Sequence, residues 1–249
     1  MSRSIRWTVL GLLGAVSVAA LCLPAGADVT FGLRAGYASG QLRAKESEAG
    51  FEVGKHARGG ANIGLMANVR LTDFLVLQPE VLFLQKGGAY DVGVPVGIPG
   101  VTVDVSDSRA LRYVEVPLLL KLVVPLRGRF RPTLLLGPSF AFNLGGELES
   151  RIAVGVSGLR FKFIETKDLK EELNDLEVSL VFGGGFDIAL GKGTLVFDDR
   201  FYFGLEPNRF KVTVPTSKFA ELGFPAGPDY SFDLDMNNYV LTVSVGYLF

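Results

Sequence analysis

The last twelve residues, Asn238–Phe249 (NYVLTVSVGYLF), alternate in chemistry from end to end. Tyr239, Leu241, Val243, Val245, Tyr247 and Phe249 share one parity; Asn238, Val240, Thr242, Ser244, Gly246 and Leu248 share the other. A β-strand turns successive side chains to opposite faces, so one face is wholly apolar and the other small and mixed. The apolar face carries aromatic rings at both ends. Eight residues at about 3.3 Å each cover about 26 Å of strand, or about 20 Å of depth at a tilt near 40°. Aromatic rows at that separation suit the two borders of a bilayer's hydrocarbon layer.

The other end of the chain points to export. Arg3 and Arg6 precede an apolar run from Val9 to Leu23, closed by Pro24 and Ala25-Gly26-Ala27. A charged segment, an apolar segment and an A-x-A site make a secretory signal peptide, so cleavage after Ala27 is expected, with Ala25 and Ala27 as its small residues. The run is too short for a membrane-crossing helix. The expected organisation is a signal peptide over 1–27 and one domain over 28–249. Cys22, the sole cysteine, falls in the leader, and Leu21 stands where a lipoprotein signal needs Gly or Ala. The mature chain therefore has no disulfide framework or thiol chemistry. Lys and Arg number 25 against 26 Asp and Glu. That balance gives no reason to expect a nucleic-acid partner. Beyond the leader no apolar run reaches the roughly 20 residues of a membrane helix. Membrane residence then requires a closed barrel, the other structure that pairs every backbone group in lipid.

Seven further segments resemble the last: Val29–Ala38, Ala61–Leu71, Leu75–Gly87, Ala110–Val123, Arg131–Asn143, Asp175–Ala189 and Thr194–Leu205. Three connections are short, at Thr72–Phe74, about Val124–Phe130 and Leu190–Gly193. Four are long, at Ser39–Gly60, Gly88–Arg109, Leu144–Asn174 and Glu206–Asn237. Short and long alternate strictly. The expectation is an all-β, eight-stranded antiparallel transmembrane β-barrel in the outer membrane, with four long extracellular loops and three short periplasmic turns. A terminal aromatic-x-Phe is also the ending read by the bacterial barrel-assembly machinery, which makes Tyr247 and Phe249 a candidate assembly signal.

Some stretches complicate this reading. Ile152–Val156 and Leu159–Phe163 flank Ser157-Gly158 as a hairpin would, and Val101–Val105 and Phe210–Val214 also alternate. They read as wall extensions above the membrane, with ten spanning strands as the alternative. Thr166–Asn174 has Leu169 and Leu173 at helical spacing behind a Thr166 cap, which suggests a short helix. Pro79, Pro117 and Pro138 each remove a ladder donor inside a segment, so local bulges are expected there. Asp199 falls on the apolar parity of its segment and is expected near the interface.

The central segments resemble a known family. FLVLQPEVLFLQKGG (Phe74–Gly88), LRYVEVPLLLKLVV (Leu111–Val124) and LLLGPSFAF (Leu134–Phe142) are similar to consecutive strands of the PorT-like outer-membrane β-barrel family, with the prolines where that family has them. The likeness extends to FGLRAGYASG at the mature start and to the last strand. It implies a small outer-membrane barrel and brings no catalytic, cofactor or metal residues. The founding member is associated with gliding and type IX secretion, which makes an envelope protein complex a candidate partner beside the lipid of the outer membrane. Most relatives have no assigned role, and a shared barrel does not transfer one.

Chemistry-bearing residues concentrate on the face opposite the apolar stripe. Arg34, Arg70, Glu80, Lys86, Glu115, Lys121, Glu177, Asp187, Asp198 and Arg200 form a candidate lumen charge network, with Glu80–Lys121 and Glu115–Lys86 as candidate pairs. Eight strands leave an interior that side chains fill, so a paired plug is expected rather than an open pore. The function expected is non-enzymatic, exercised through the surface loops in binding or in an envelope assembly. A narrow channel is one alternative, and a lipid-modifying enzyme using His56, the only histidine, is another. Gly183-Gly184-Gly185 lacks the Lys and helix of a phosphate loop and reads as close packing in the wall.

Overall fold

The computed structural model describes residues 28–44, 53–94, 101–126, 128–156, 159–169, 174–205, 208–214 and 230–249. Its elements are all strands: β1 (Val29–Ala44), β2 (Val53–Arg70), β3 (Leu75–Val94), β4 (Val101–Val123), β5 (Phe130–Val156), β6 (Leu159–Asp168), β7 (Leu176–Leu190), β8 (Gly193–Gly204), β9 (Asn208–Val214) and β10 (Tyr230–Leu248). Alternation of apolar and small or polar residues makes each of them a strand with one greasy face, and such faces are stable only against lipid or a core.

Eight of these strands close a ring in the order β1-β2-β3-β4-β5-β7-β8-β10, with β10 returning antiparallel onto β1. The closing ladder runs from Gly32 opposite Leu248 to Ala44 opposite Met236. The Phe249 amide extends it by donating to the Phe31 carbonyl at 2.9 Å. β6 and β9 stay outside the ring. β5 pairs with β7 along Phe130–Phe142 and with β6 along Glu147–Val156, so β6 stands above β7 in the wall. β9 stands above β8 in the same way, since β10 pairs with β8 from Tyr239 down and with β9 from Met236 up. The two additional strands thus lengthen the wall on the side away from the short turns and do not widen the barrel.

Outside the ring the strands continue further than the loops read from sequence would allow. β1 reaches Ala44, β2 starts at Val53, β3 reaches Val94 and β4 starts at Val101, because neighbouring strands keep pairing past the membrane. Thr166 is strand opposite Glu149 and does not cap a helix; pairing with the β5 extension overrides the helical spacing of Leu169 and Leu173. The rest of that expected helix, 170–173, lies outside the described residues, as does the leader with Ala25 and Ala27. At the turn side, Thr72 Oγ1 accepts from the Leu75 amide at 3.0 Å, an ST-turn that holds the β2–β3 connection. Gly191, at φ 65°, supplies the left-handed residue of the two-residue β7–β8 hairpin.

The prolines do not produce the bulges expected of them. Register is unchanged across Pro79, Pro117 and Pro138. Each lacks a donor, and the ladder passes it without an inserted residue. The register shifts lie between Arg58 and Asn62 in β2, and at Leu144–Gly145 in β5, where Gly145 adopts φ 128°. Asp199 also departs from expectation. It sits well along β8 opposite Val243, midway between Tyr239 and Tyr247, and is exposed at mid-depth on the outer face rather than at the interface.

Phe31, Leu65, Leu134, Phe182, Val243 and Phe249 are among the side chains exposed on the outer face, which is the lipid-facing side. Phe249 stacks edge-on against Tyr247 with centroids 5.5 Å apart. Phe249→Ser removes the terminal aromatic from that stripe while leaving the backbone rung to Phe31. The expected result is a sharp loss of folded barrel with export intact, measured as loss of the fast-migrating species in unboiled gel samples. Assembly at the normal level would show that the ending is only a strand.

Candidate functional site

The same alternation that greases the outside fills the inside. Along β4, odd-numbered residues point inward and place, from the turn end upward, Lys121, Leu119, Pro117, Glu115, Tyr113 and Leu111 in the lumen. β1 and β3 contribute even positions, including Arg34, Gln78, Glu80 and Lys86; β7 contributes Glu177 and Asp187; β8 contributes Asp198, Arg200 and Tyr202. These charged side chains are all buried, and most meet an opposite charge directly.

The central storey is a four-membered ionic cluster. Arg34 Nη1 donates to Glu80 Oε1 at 2.9 Å and Oε2 at 3.0 Å, and Arg34 Nη2 to Asp198 Oδ1 at 2.8 Å. Arg200 grips Glu80 from the other side, Nη1 to Oε2 at 2.7 Å and Nη2 to Oε1 at 2.9 Å. Its Nη2 also reaches Asp198 Oδ2 at 3.1 Å. Gln78 Nε2 donates to Glu80 Oε1 at 2.6 Å. Both oxygens of each carboxylate are satisfied, which is the condition under which buried ion pairs persist. The adjacent strand β7 carries glycines opposite Arg200 and Asp198. A Cβ added at Gly183 would meet Arg200, and one added at Gly185 would meet the Asp198 backbone.

Below the cluster, Lys121 Nζ donates to Asp187 Oδ1 at 2.8 Å. Asp187 in turn lines a vestibule of about 110 Å³ at the turn end of the barrel, together with Asp28, Arg70, Asp73, Arg131 and Thr194. Above it, Lys86 Nζ donates to Glu177 Oε2 at 2.6 Å and lies 4.1 Å from the centroid of the Tyr113 ring, whose hydroxyl donates to Glu177 Oε1 at 2.6 Å. Glu115 accepts from Ser139 Oγ at 2.7 Å. Between the ionic groups pack Leu84, Leu119, Leu135, Val181, Tyr202 and Val240. The described lumen is thus crossed by three ionic layers with apolar packing between them.

Several expectations change with this geometry. Glu80 pairs with Arg34 and Arg200, not Lys121; Lys121 pairs with Asp187; Lys86 pairs with Glu177, not Glu115. Side chains reach across the lumen to strands that are not ladder neighbours, so the opposite charges of adjacent β3 and β4 do not pair. Arg70 leaves the network altogether. It is exposed at the rim, with Nε 3.8 Å from Asp28, because β2 ends there. His56 is on strand β2 opposite Ala89 and not in a loop. Tyr113, Ser139, Asp107 and Arg109 belong to the buried polar set and were not singled out as site residues. The inward parity of β4, continued past Glu115, contains Tyr113, Arg109 and Asp107.

A closed antiparallel ring of eight strands, apolar outside and ion-paired inside, is the architecture of a small outer-membrane barrel. Residues 24–208 match the family model described as outer membrane protein beta-barrel domain. The chain belongs to that family. It is an outer-membrane protein, and its barrel is similar to solved barrels at low sequence identity. The outer membrane protein OprG from Pseudomonas aeruginosa is 12% identical with a TM-score of 0.42, over 88% of this chain and 95% of that one. Ail, the attachment invasion locus protein of Yersinia pestis, is 12% identical with a TM-score of 0.37, over 89% and 99%. The outer membrane protease OmpT from Escherichia coli is 9% identical with a TM-score of 0.32, over 90% and 95%. No curated protein matches the chain.

The pairings make a direct test. Lys121→Leu strands Asp187, at a cost of about 3 kcal/mol, the lower end for a broken buried pair because Asp187 borders the vestibule. Adding Asp187→Leu is expected to recover most of that loss, whereas adding Glu80→Gln is not. Glu80→Leu leaves Arg34 and Arg200 with Asp198 alone between them, two cations to one carboxylate, and is expected to cost about 3–5 kcal/mol. Urea unfolding of barrels refolded into lipid vesicles reads all four variants.

Proposed function

We propose that this protein is a closed, non-enzymatic outer-membrane platform that works through the wall it raises above the membrane, by binding or as part of an envelope assembly. The observation that carries the reading is the ion-paired lumen. Guanidinium, ammonium and carboxylate groups that meet across the barrel leave solutes no unblocked path to follow.

The outer wall supports the second half of the proposal. A tilted strand needs about 9–11 residues to cross the hydrocarbon layer. β5 has 27 and β4 has 23. The surplus builds a sheet in water, and β6 gives it an apolar surface there, with Leu159 66% and Phe161 40% exposed on the same face. Apolar side chains kept in contact with water, outside the membrane, mark a contact surface. Export through the leader cleaved after Ala27, and insertion by the barrel-assembly machinery through Tyr247 and Phe249, belong to the same reading.

Purified barrel in planar bilayers is expected to show no discrete conductance steps, and steady single-channel openings of the wild type would overturn the closed reading. Leu159→Ser with Phe161→Ser is expected to leave the folded barrel unchanged on gels. The same pair should lower recovery of its partner complex from outer membranes severalfold. Undiminished recovery would remove β6 from the contact surface.

A further inference from the structure

Asp198 and Arg200 point into the lumen, so the residue between them points out. Asp199 is exposed on the lipid-facing side and has no hydrogen-bond or ion-pair partner among the described residues. Its ladder partners are Gly184 on β7 and Val243 on β10. A carboxylate at this depth faces hydrocarbon, where charge on the lipid face is destabilising. The lumen ion pairs form without it.

Its surroundings have a definite shape. On the outer side, Phe182 and Phe201 lie 5.2 Å apart, and on the turn side Phe186 and Phe197 lie 5.0 Å apart. Between these ring pairs Gly184 presents no side chain. Gly183 and Gly185 are required by packing, because a Cβ on either would meet β8 backbone. Gly184 is not. A Cβ there would make only ordinary contacts, 3.6 Å from the Thr133 carbonyl and 3.8 Å from Leu134 Cδ2. The glycine therefore leaves a recess in the outer wall beside an unpartnered carboxylate, framed by four aromatic rings.

We propose that this face is an intramembrane docking site for another membrane-spanning protein, one that seats a Lys or Arg side chain against Asp199 and fits a close-packed segment into the Gly184 recess. Charge complementarity selects the occupant. Lipid chains offer no donor to the carboxylate. A second copy of this chain offers no cation, because Asp199 is the one charged side chain among the described outward-facing residues between the two aromatic rows. Arg112, at the outer rim, is already engaged with Glu147 at 2.8 Å. The site is separate from the surface on β6 and does not depend on it.

The test uses the full chain in its own outer membrane, with a photo-reactive phenylalanine analogue replacing the 60%-exposed Val243. The expected adduct is a distinct polypeptide, cross-linked within a membrane segment beside a Lys or Arg. Asp199→Leu should abolish it by at least about tenfold while the barrel folds as well as or better than wild type, because an apolar residue replaces a charge in lipid. Gly184→Leu should also abolish it without unfolding. Asp199→Lys combined with the partner's basic residue changed to Asp should restore it. Adducts only to lipid, adducts only to a second copy, a segment without a basic residue, or yields unaffected by Asp199→Leu would each overturn the proposal.

Discussion

Hydrocarbon offers a backbone amide nothing to bond to, and that single constraint organises the molecule. An open sheet would leave two rows of unpaired groups in lipid, each costing several kcal/mol. The β1–β10 ladder removes them by joining the first strand to the last. Closure at eight strands then fixes the size of the interior, which is wide enough for side chains and little else. Because side chains alternate, every second residue of each strand must enter that space whatever its polarity. A charge sent inward has no bulk water to retreat to and is met by an opposite charge or, at Glu115, by the Ser139 hydroxyl. The glycines at 183 and 185 follow from the same confinement, since the β8 backbone at 197–200 lies where their side chains would start.

The types of charge follow their depth. At the centre stand two arginines, whose planar forks each address two carboxylates at once, so that both oxygens of Glu80 and of Asp198 are satisfied. Lysines serve the layers above and below, where one ammonium meets one carboxylate, as in Lys86–Glu177 and Lys121–Asp187. A point charge suffices where the pair borders a vestibule or shares an aromatic face with Tyr113. A lysine in place of Arg200 would keep the charge and lose the second bond to Glu80. Arg-for-Lys exchange is therefore not conservative in the middle of this barrel.

Parity was the legible part of the sequence. It assigned Glu115 and Lys121 inward and Leu120 and Leu122 outward on β4, and the structure agrees residue by residue. Partners were not legible, because the ladder does not choose them. Strands tilt, so side chains level with one another belong to different rungs, and an inward arginine spans much of the lumen. Glu80 is opposite Met66 in the β2–β3 ladder, yet it binds Arg34 from β1 and Arg200 from β8. Depth was harder to read than side. Asp199 had the correct parity, but its distance from the turn places it at mid-membrane, opposite Val243. Bulges escaped for a similar reason. Proline marks a missing donor, whereas the inserted residue at Leu144 is tolerated because Gly145 takes a positive φ, a local backbone property that alternation does not reveal.

Where lipid gives way to water the constraint relaxes, and the architecture changes at that boundary. Water can bond the free groups of a strand, so above the membrane the wall need not close. Among the described residues β6 pairs with β5 alone and β9 with β10 alone, standing over β7 and β8, which pair with each other below. The ring is complete only as high as hydrocarbon demands. Beyond that height the same strands continue, with Val103, Val105, Ile152 and Val154 buried on the inner face of the extension. Apolar inner residues stabilise the extension as a soluble sheet while its outer side and edges stay available. One set of strands thereby answers two solvents, as a closed ring in lipid and as an open sheet in water, where Asp107 and Arg109 are buried beside the valines.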